Sequence, residues 1–320
     1  MKLLLLLPKR TKVLTTELHY AHIVLYYICH QTTYTYQAPV ILAPHTLRLR
    51  PRCNGWQQLR QFSLNVTPEP AGISQIRDLD GNNLIKVWFD PANETRELRL
   101  ETVSEVETLQ ENPFNYLLEP WAIKLPIDYP TSLANQLQPY LQPYNRAFDP
   151  AAVQLAYEIS HKVQANTVLF LATLNQQLYA NFNQIVRHTE DLWSPGLTWR
   201  SQQGTCRDTA LLFIEACRAV GLAARFVSGY QEGDPDQAQR DLHAWVEAYL
   251  PGAGWLGYDP THGLAVADRH VAVAASAIPQ YTAPVAGHFT PARTAYQMEA
   301  QIVLEIVRKG VGGLGHLNLY

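Results

Sequence analysis

Gly204-Thr205-Cys206-Arg207-Asp208-Thr209-Ala210-Leu211-Leu212-Phe213-Ile214-Glu215-Ala216-Cys217-Arg218-Ala219-Val220-Gly221 reads as one buried helix with a cysteine on its first turn. Thr205 stands where an N-cap is needed, and Asp208, three residues on, completes a capping box. Leu211, Leu212, Ile214 and Ala219 follow at helical spacing, and Gly221 supplies the stop. Cys206 then occupies the first helical position, where unpaired backbone N–H groups and the positive end of the helix dipole favour a thiolate. A thiol placed this way is a nucleophile near neutral pH. Most free cysteines are inert core residues, so the assignment depends on partners supplied by residues nearer the C-terminus.

Two segments there supply such partners. Asp241-Leu242-His243-Ala244-Trp245-Val246-Glu247-Ala248-Tyr249-Leu250 alternates like a half-buried strand and carries His243. The turn signal Pro251-Gly252-Ala253-Gly254 leads into a second strand, Trp255-Leu256-Gly257-Tyr258-Asp259-Pro260. Each residue alone has an ordinary structural reading. Together, a thiol on a helix start, a histidine on a strand and a carboxylate on the next strand make the set that thiol acyl transfer requires. The histidine takes the thiol proton and returns it to the leaving amine, while the carboxylate fixes the ring's tautomer. The hairpin adds a geometric condition. With Leu250 opposite Trp255, His243 would face His262 and Asp259 would point to the other side of the sheet, because one residue of slip flips every side chain. The triad therefore predicts a bulge or an odd-length loop at Gly252, Gly254 or Gly257.

These residues resemble the transglutaminase-like superfamily of papain-fold cysteine enzymes. The likeness is carried by Gly204 to Asp208, by Ala216 to Tyr230, by His243-Ala244-Trp245-Val246-Glu247 and by Gly254 to Thr261. Gln31 to Tyr36, Pro39-Val40 and Pro44 to Arg52 resemble the region that precedes this domain in bacterial members. The resemblance implies Cys206 as nucleophile, His243 as base and Asp259 as the orienting carboxylate. It also implies an α+β papain-like core, a cysteine-bearing helix packed on an antiparallel sheet, preceded by an all-β N-terminal domain. Arg207 and Thr209 stand where many relatives carry Gln and Phe.

Composition sets limits. A chain of 320 residues accommodates two cored domains, and a net charge of −3 offers no basic field for a polynucleotide. Four cysteines (Cys29, Cys53, Cys206, Cys217) are too few for a disulfide scaffold. Cys206 and Cys217 lie about three helical turns or ~16 Å apart, so they cannot pair. Cys217 reads as core, and reduced thiols fit a cytoplasmic home. Met1-Lys2 and five leucines imitate a leader, but the apolar stretch ends at Pro8-Lys9-Arg10 without a cleavage site. No stretch is long enough for a membrane span. Residues 1–24 therefore read as an extension or a leader, with export the minority reading.

The remaining organisation follows composition shifts. Residues 25–110 read as an antiparallel β-domain, with Leu98, Leu100, Thr102 and Ser104 alternating against Glu97, Arg99, Glu101 and Val103. Residues 111–149, rich in proline, read as a connector with a short helix, and 150–275 as the catalytic domain, its first helix capped by Asp149-Pro150. Residues 276–309 form closing strands and 310–320 a loose tail. The oxyanion donors expected are the backbone N–H of Cys206 and one of Gln202, Gln203 or Trp199. Trp245, Arg207 and Trp193 are expected along the substrate cleft. His262 and His270 with Asp268 lack metal-ligand spacing, so no metal and no cofactor is expected. The expected activity is hydrolysis of a peptide or isopeptide amide through a thioester. Transamidation of protein glutamine, or peptide binding without catalysis on the same fold, are the alternatives.

Overall fold

The computed structural model describes residues 22–187, 191–233 and 240–310. Six strands open the chain: β1 (His22–Leu42), β2 (His45–Leu47), β3 (Gln57–Thr67), β4 (Gly72–Arg77), β5 (Asn83–Trp88) and β6 (Thr95–Thr108). All pair antiparallel. The two-residue alternation of β6 sorts as its composition dictates, with Leu98, Leu100, Thr102 and Ser104 buried and Arg99 and Val103 exposed. β1 begins at His22, and its Val24 is buried, so residues 22–24 belong to the sheet and not to the extension expected there. The leader-like residues 1–21 and the tail from 311 lie outside the described residues.

Five helices follow: α1 (Thr131–Leu141), α2 (Pro150–Lys162), α3 (Thr167–Asn181), α4 (Pro195–Ser201) and α5 (Cys206–Ala219). Their starts are written in polar side chains. Asp149 accepts from the Ala151 N–H with Pro150 at the first position, Asn166 caps α3 and Ser194 caps α4. A short parallel pair, β7 (Asn183–Gln184) with β8 (Gln203–Gly204), joins the segment after α3 to the approach to α5. In α5 every residue from Asp208 to Arg218 is buried, and the helix ends where Gly221 adopts φ 73°.

The buried helix packs on an antiparallel sheet of β9 (Ala224–Gln231), β10 (His243–Leu250), β11 (Gly254–Asp259), β12 (Leu264–Ala265) and β13 (His270–Ser276). Its strand order is β12-β11-β10-β9-β13. Leu212, Phe213 and Ala216 of α5 share one core with Val246, Ala248, Leu256 and Tyr258 of the sheet and with Leu155, Phe170 and Leu174 of α2 and α3. Burying each Leu or Phe there contributes about 1.5–3 kcal/mol. The α+β core expected from the sequence is thus present. Buried Arg218 ties its parts together, donating to the carbonyls of Ala224, Gln142 and Ala277 at 2.8–3.2 Å.

The chain then returns to the first half. β14 (Val285–Ala286) pairs with β2, and both β15 (Phe289–Thr290) and β16 (Tyr296–Gly310) pair with β1. The closing strand therefore completes the N-terminal sheet. Side-chain amides hold the two halves together. Gln57 pairs with both backbone groups of Ala272 (2.7 and 2.8 Å), and Asn82 does the same with Ala275 (2.8 Å each). They cover the outer edge of β13, which would otherwise present unpaired donors and acceptors.

The β10–β11 hairpin has the odd loop that the triad requires. Leu250 pairs with Gly254 and Val246 with Tyr258, leaving Pro251-Gly252-Ala253 as a three-residue loop. Gly252 carries the left-handed backbone at φ 92°, and a Cβ there would collide with the Leu117 carbonyl oxygen. Gly252→Ala is expected to lower stability by about 1–3 kcal/mol in urea denaturation; an unchanged midpoint would contradict this account of the loop.

Candidate active site

The capping box places the cysteine. The Thr205 side chain accepts from the Asp208 N–H while Asp208 Oδ2 accepts from the Thr205 N–H at 2.8 Å. Cys206, half-buried, is the first residue of α5. Asp208 is fully buried and does more than cap. Its carboxylate also accepts from the Thr205 hydroxyl, from the Trp193 N–H at 2.8 Å and from Arg187 at 2.8 and 2.9 Å. The Arg187 guanidinium lies 4.5 Å over the Trp193 ring. Asp208 thus fastens the segment before α4 to the turn that carries the thiol.

Across the sheet, the odd register puts Asp259 on the same side as His243. His243 Nε2 lies 2.8 Å from Asp259 Oδ2. The Cys206 side chain is a second hydrogen-bond partner of the His243 ring, which leaves Nδ1 for the thiol. Burial of the ring opposes its charge, but the Asp259 carboxylate, its hydrogen bond and the Cys206 sulfur outweigh that, and His243 is pushed up to about 10. Asp259 has no exposed surface. Burial disfavours its charge, yet the charge of His243 and hydrogen bonds from three histidines hold it well below the usual carboxylate range.

The structure brings two more histidines to this carboxylate. His262 Nδ1 and His270 Nε2 each lie 3.0 Å from Asp259 Oδ2. The backbone N–H groups of Thr261 and His262 donate to Oδ1 at 3.0 and 3.4 Å. Sequence reasoning set these histidines aside because no metal spacing linked them. The available signal was the Asp-Pro-Thr-His turn for His262; the place of His270 depends on how β13 docks on β9, which no local pattern reveals. Asp268 does not join them: its carbonyl accepts from Tyr26 and Thr108. Ligand atoms of His243, Asp259 and His262 lie within 4.8 Å of one another, and that closeness is the hydrogen bonding at Oδ2.

The other expected residues divide. Trp245 does not line a cleft. It is fully buried with Val227, Ala272 and Ala275, its ring 6.2 Å from that of His243 and 5.2 Å from that of His270. Gly229, paired with His243, makes room for that ring, because a Cβ there would press on Trp245 and on the Val271 carbonyl. Trp193 and Arg207 are half-buried near Cys206. Gln202 and Gln203 are exposed ahead of the thiol turn, and half-buried Trp199 packs against Phe182 at 5.9 Å. All four cysteines are free thiols, and no helix among the described residues is long and apolar enough to cross a membrane.

Residues 153–260 match the family model of the transglutaminase-like superfamily, and residues 26–107 match the bacterial transglutaminase-like N-terminal region. An uncharacterized protein of Mycobacterium tuberculosis is 29% identical over 262 residues, covering 78% of this chain and 82% of the relative. A protein-glutamine gamma-glutamyltransferase of Pseudomonas aeruginosa is 40% identical over 72 residues, 20% of this chain and 11% of that one. The crystal structure of a candidate cysteine protease from Cytophaga hutchinsonii superposes with a TM-score of 0.66 at 20% identity, covering 93% of this chain and 94% of the other, a likeness of fold.

Two outcomes are expected. Because the folded-state value of His243 lies above the unfolded ~6.5, its pairing stabilises the fold fully below that pH and is lost as pH rises through about 10. NMR titration of its ring should follow that value, and Asp259→Asn should bring it down toward ~6.5; an ordinary midpoint in the parent would contradict the pairing. Asp208→Ala, which leaves Arg187 facing no carboxylate, should cost about 3 kcal/mol in denaturant unfolding.

Proposed function

We propose, for a chain that belongs to the transglutaminase-like superfamily, that Cys206, His243 and Asp259 carry out acyl transfer at a peptide or carboxamide carbonyl. The observation that carries this reading is the two-sided engagement of His243, with Asp259 at 2.8 Å on Nε2 and the Cys206 thiol on the other side of the ring. Members of this superfamily are generally cysteine-dependent enzymes, and the spacing here supports that chemistry.

The Cys206 sulfur attacks the carbonyl carbon as its proton resides on His243 Nδ1. The tetrahedral oxyanion is met by the backbone N–H of Cys206 and by a second donor from Gln202, Gln203 or Trp199. His243 then gives its proton to the departing amine, and the C–N bond breaks to leave a thioester. Water, deprotonated by His243, attacks the thioester carbonyl; the C–S bond breaks, the carboxylic acid leaves, and His243 returns the proton to the sulfur. Asp259 holds the ring so that Nδ1 faces the sulfur throughout. Hydrolysis is favoured because water is always at hand as acceptor. An amine in place of water would give transamidation, the activity named for the Pseudomonas aeruginosa relative. We further propose a cytoplasmic location, in keeping with the few cysteines of the sequence.

Iodoacetamide labelling as a function of pH, with the modified cysteines located by mass spectrometry, tests the reading. Cys206 is expected to be alkylated selectively near pH 6, at least about tenfold faster than in His243→Ala. Cys217, buried and with its thiol pushed up by desolvation, should stay unlabelled. Labelling of Cys206 no faster than the exposed Cys29 and Cys53 would overturn acyl transfer and favour a peptide-binding module. Incorporation of a fluorescent primary amine into casein in competition with its cleavage would assign transamidation over hydrolysis.

A further inference from the structure

Asp259 Oδ2 is shared by more donors than an orienting carboxylate needs. His243 Nε2, His262 Nδ1 and His270 Nε2 converge on it at 2.8, 3.0 and 3.0 Å. An ionised carboxylate only accepts, so the ring nitrogen facing it carries the proton in each histidine. The consequence is sharpest for His270. Its side chain is 1% exposed, and its Nδ1 has no partner among the described residues. Burial, countered only in part by Asp259, lowers its tendency to charge. His270 is therefore a neutral ring with Nε2–H on Asp259 and a bare lone pair on Nδ1. Leaving a lone pair unpaired costs less than stranding an N–H. His262 makes the same hydrogen bond, but its side chain is 39% exposed, so solvent can replace it. The His270 donor, by contrast, is shielded from solvent.

An oxygen with about two lone pairs and three N–H groups divides its attraction among them. We propose that His270 is a positioning residue for the acyl-transfer chemistry proposed above. Its Nε2–H pins the Asp259 carboxylate between β10 and β13, and it limits how tightly Asp259 holds the His243 imidazolium. That limit matters because the imidazolium must hand its proton to the leaving amine, and too strong a partner would retain it. The titratable groups facing His243 are Cys206 from α5, Asp259 from β11, His262 from the turn after it and His270 from β13. Of these, His270 is the buried competitor for the carboxylate.

The test is NMR of histidine-labelled protein, which needs no substrate. Long-range ¹H–¹⁵N spectra of the parent are expected to give His270 as the neutral Nε2–H tautomer from pH 7 to 9; an Nδ1–H tautomer, or a charged ring in that range, overturns the proposal without any variant. In His270→Phe, which fills the space and removes the donor, the His243 titration midpoint is expected to rise by on the order of half a unit. His270→Gln, whose amide donor reaches the same oxygen, should restore it, and His262→Ala should move it less. A midpoint in His270→Phe equal to the parent's or below it, or no rescue by Gln in a protein of equal thermal stability, gives His270 a packing role only. Failure of acyl transfer itself would appear separately, as a parent whose Cys206 is not selectively alkylated.

Discussion

A carboxylate with no exposed surface dictates the architecture around it. An unpaired charge at the position of Asp259 would cost several kcal/mol, and the protein offsets that with five N–H groups on two oxygens. Each donor demands something of the chain. The strand bearing His243 has to run beside that of Asp259 in odd register. The chain has to turn sharply after Pro260, so that two backbone N–H groups fold back onto Oδ1. β13 has to dock on β9 with His270 facing inward. The sheet meets these conditions, and the His243 imidazole is one donor among several.

A second buried carboxylate works at the other side of the site on a different plan. Asp208 gathers donors from its own helix turn, from the Trp193 backbone and from Arg187. It is therefore neutralised by a permanent cation, whereas Asp259 is met by histidine rings, of which His243 is the one it holds charged. Asp208 fixes where the Cys206 turn and the Trp193 segment stand, and its partner keeps its charge at every ordinary pH. Asp259 faces His243, the group whose charge would change in the proposed reaction. The separation of a static anchor from a responsive one follows from partner chemistry alone.

Local features of the fold were legible in the sequence. The Thr205–Asp208 box, the Asp149-Pro150 start and the alternation of β6 each depend on residues within a few positions of one another, and the structure has them. The odd hairpin was legible too, because side-chain parity on two adjacent strands is arithmetic once two faces must agree. Trp245 was misjudged. Its neighbours in sequence look like a cleft, but Gly229 on the next strand opens room for the ring beneath the sheet. The roles of His262 and His270 were missed for a related reason. A hydrogen bond to a shared carboxylate leaves no spacing signature of the kind that metal ligands leave. Gln57 and Asn82 were silent as well, since a side-chain amide that covers a distant strand edge looks like any surface amide until the tertiary fold is known.

The pairing of β1 with β16 joins His22 to Gly310 and Tyr36 to Tyr296, so the first described strand waits for the last. A chain emerging from a ribosome can form its α5 core well before this pairing is possible, because the core closes within residues 122–258. One edge of β1 stays open throughout synthesis and closes over a loop of very high contact order. During that interval the edge is a template for any other extended segment. The topology thus lets the α5 core close first and the sheet around β1 last, with β16 as the latch.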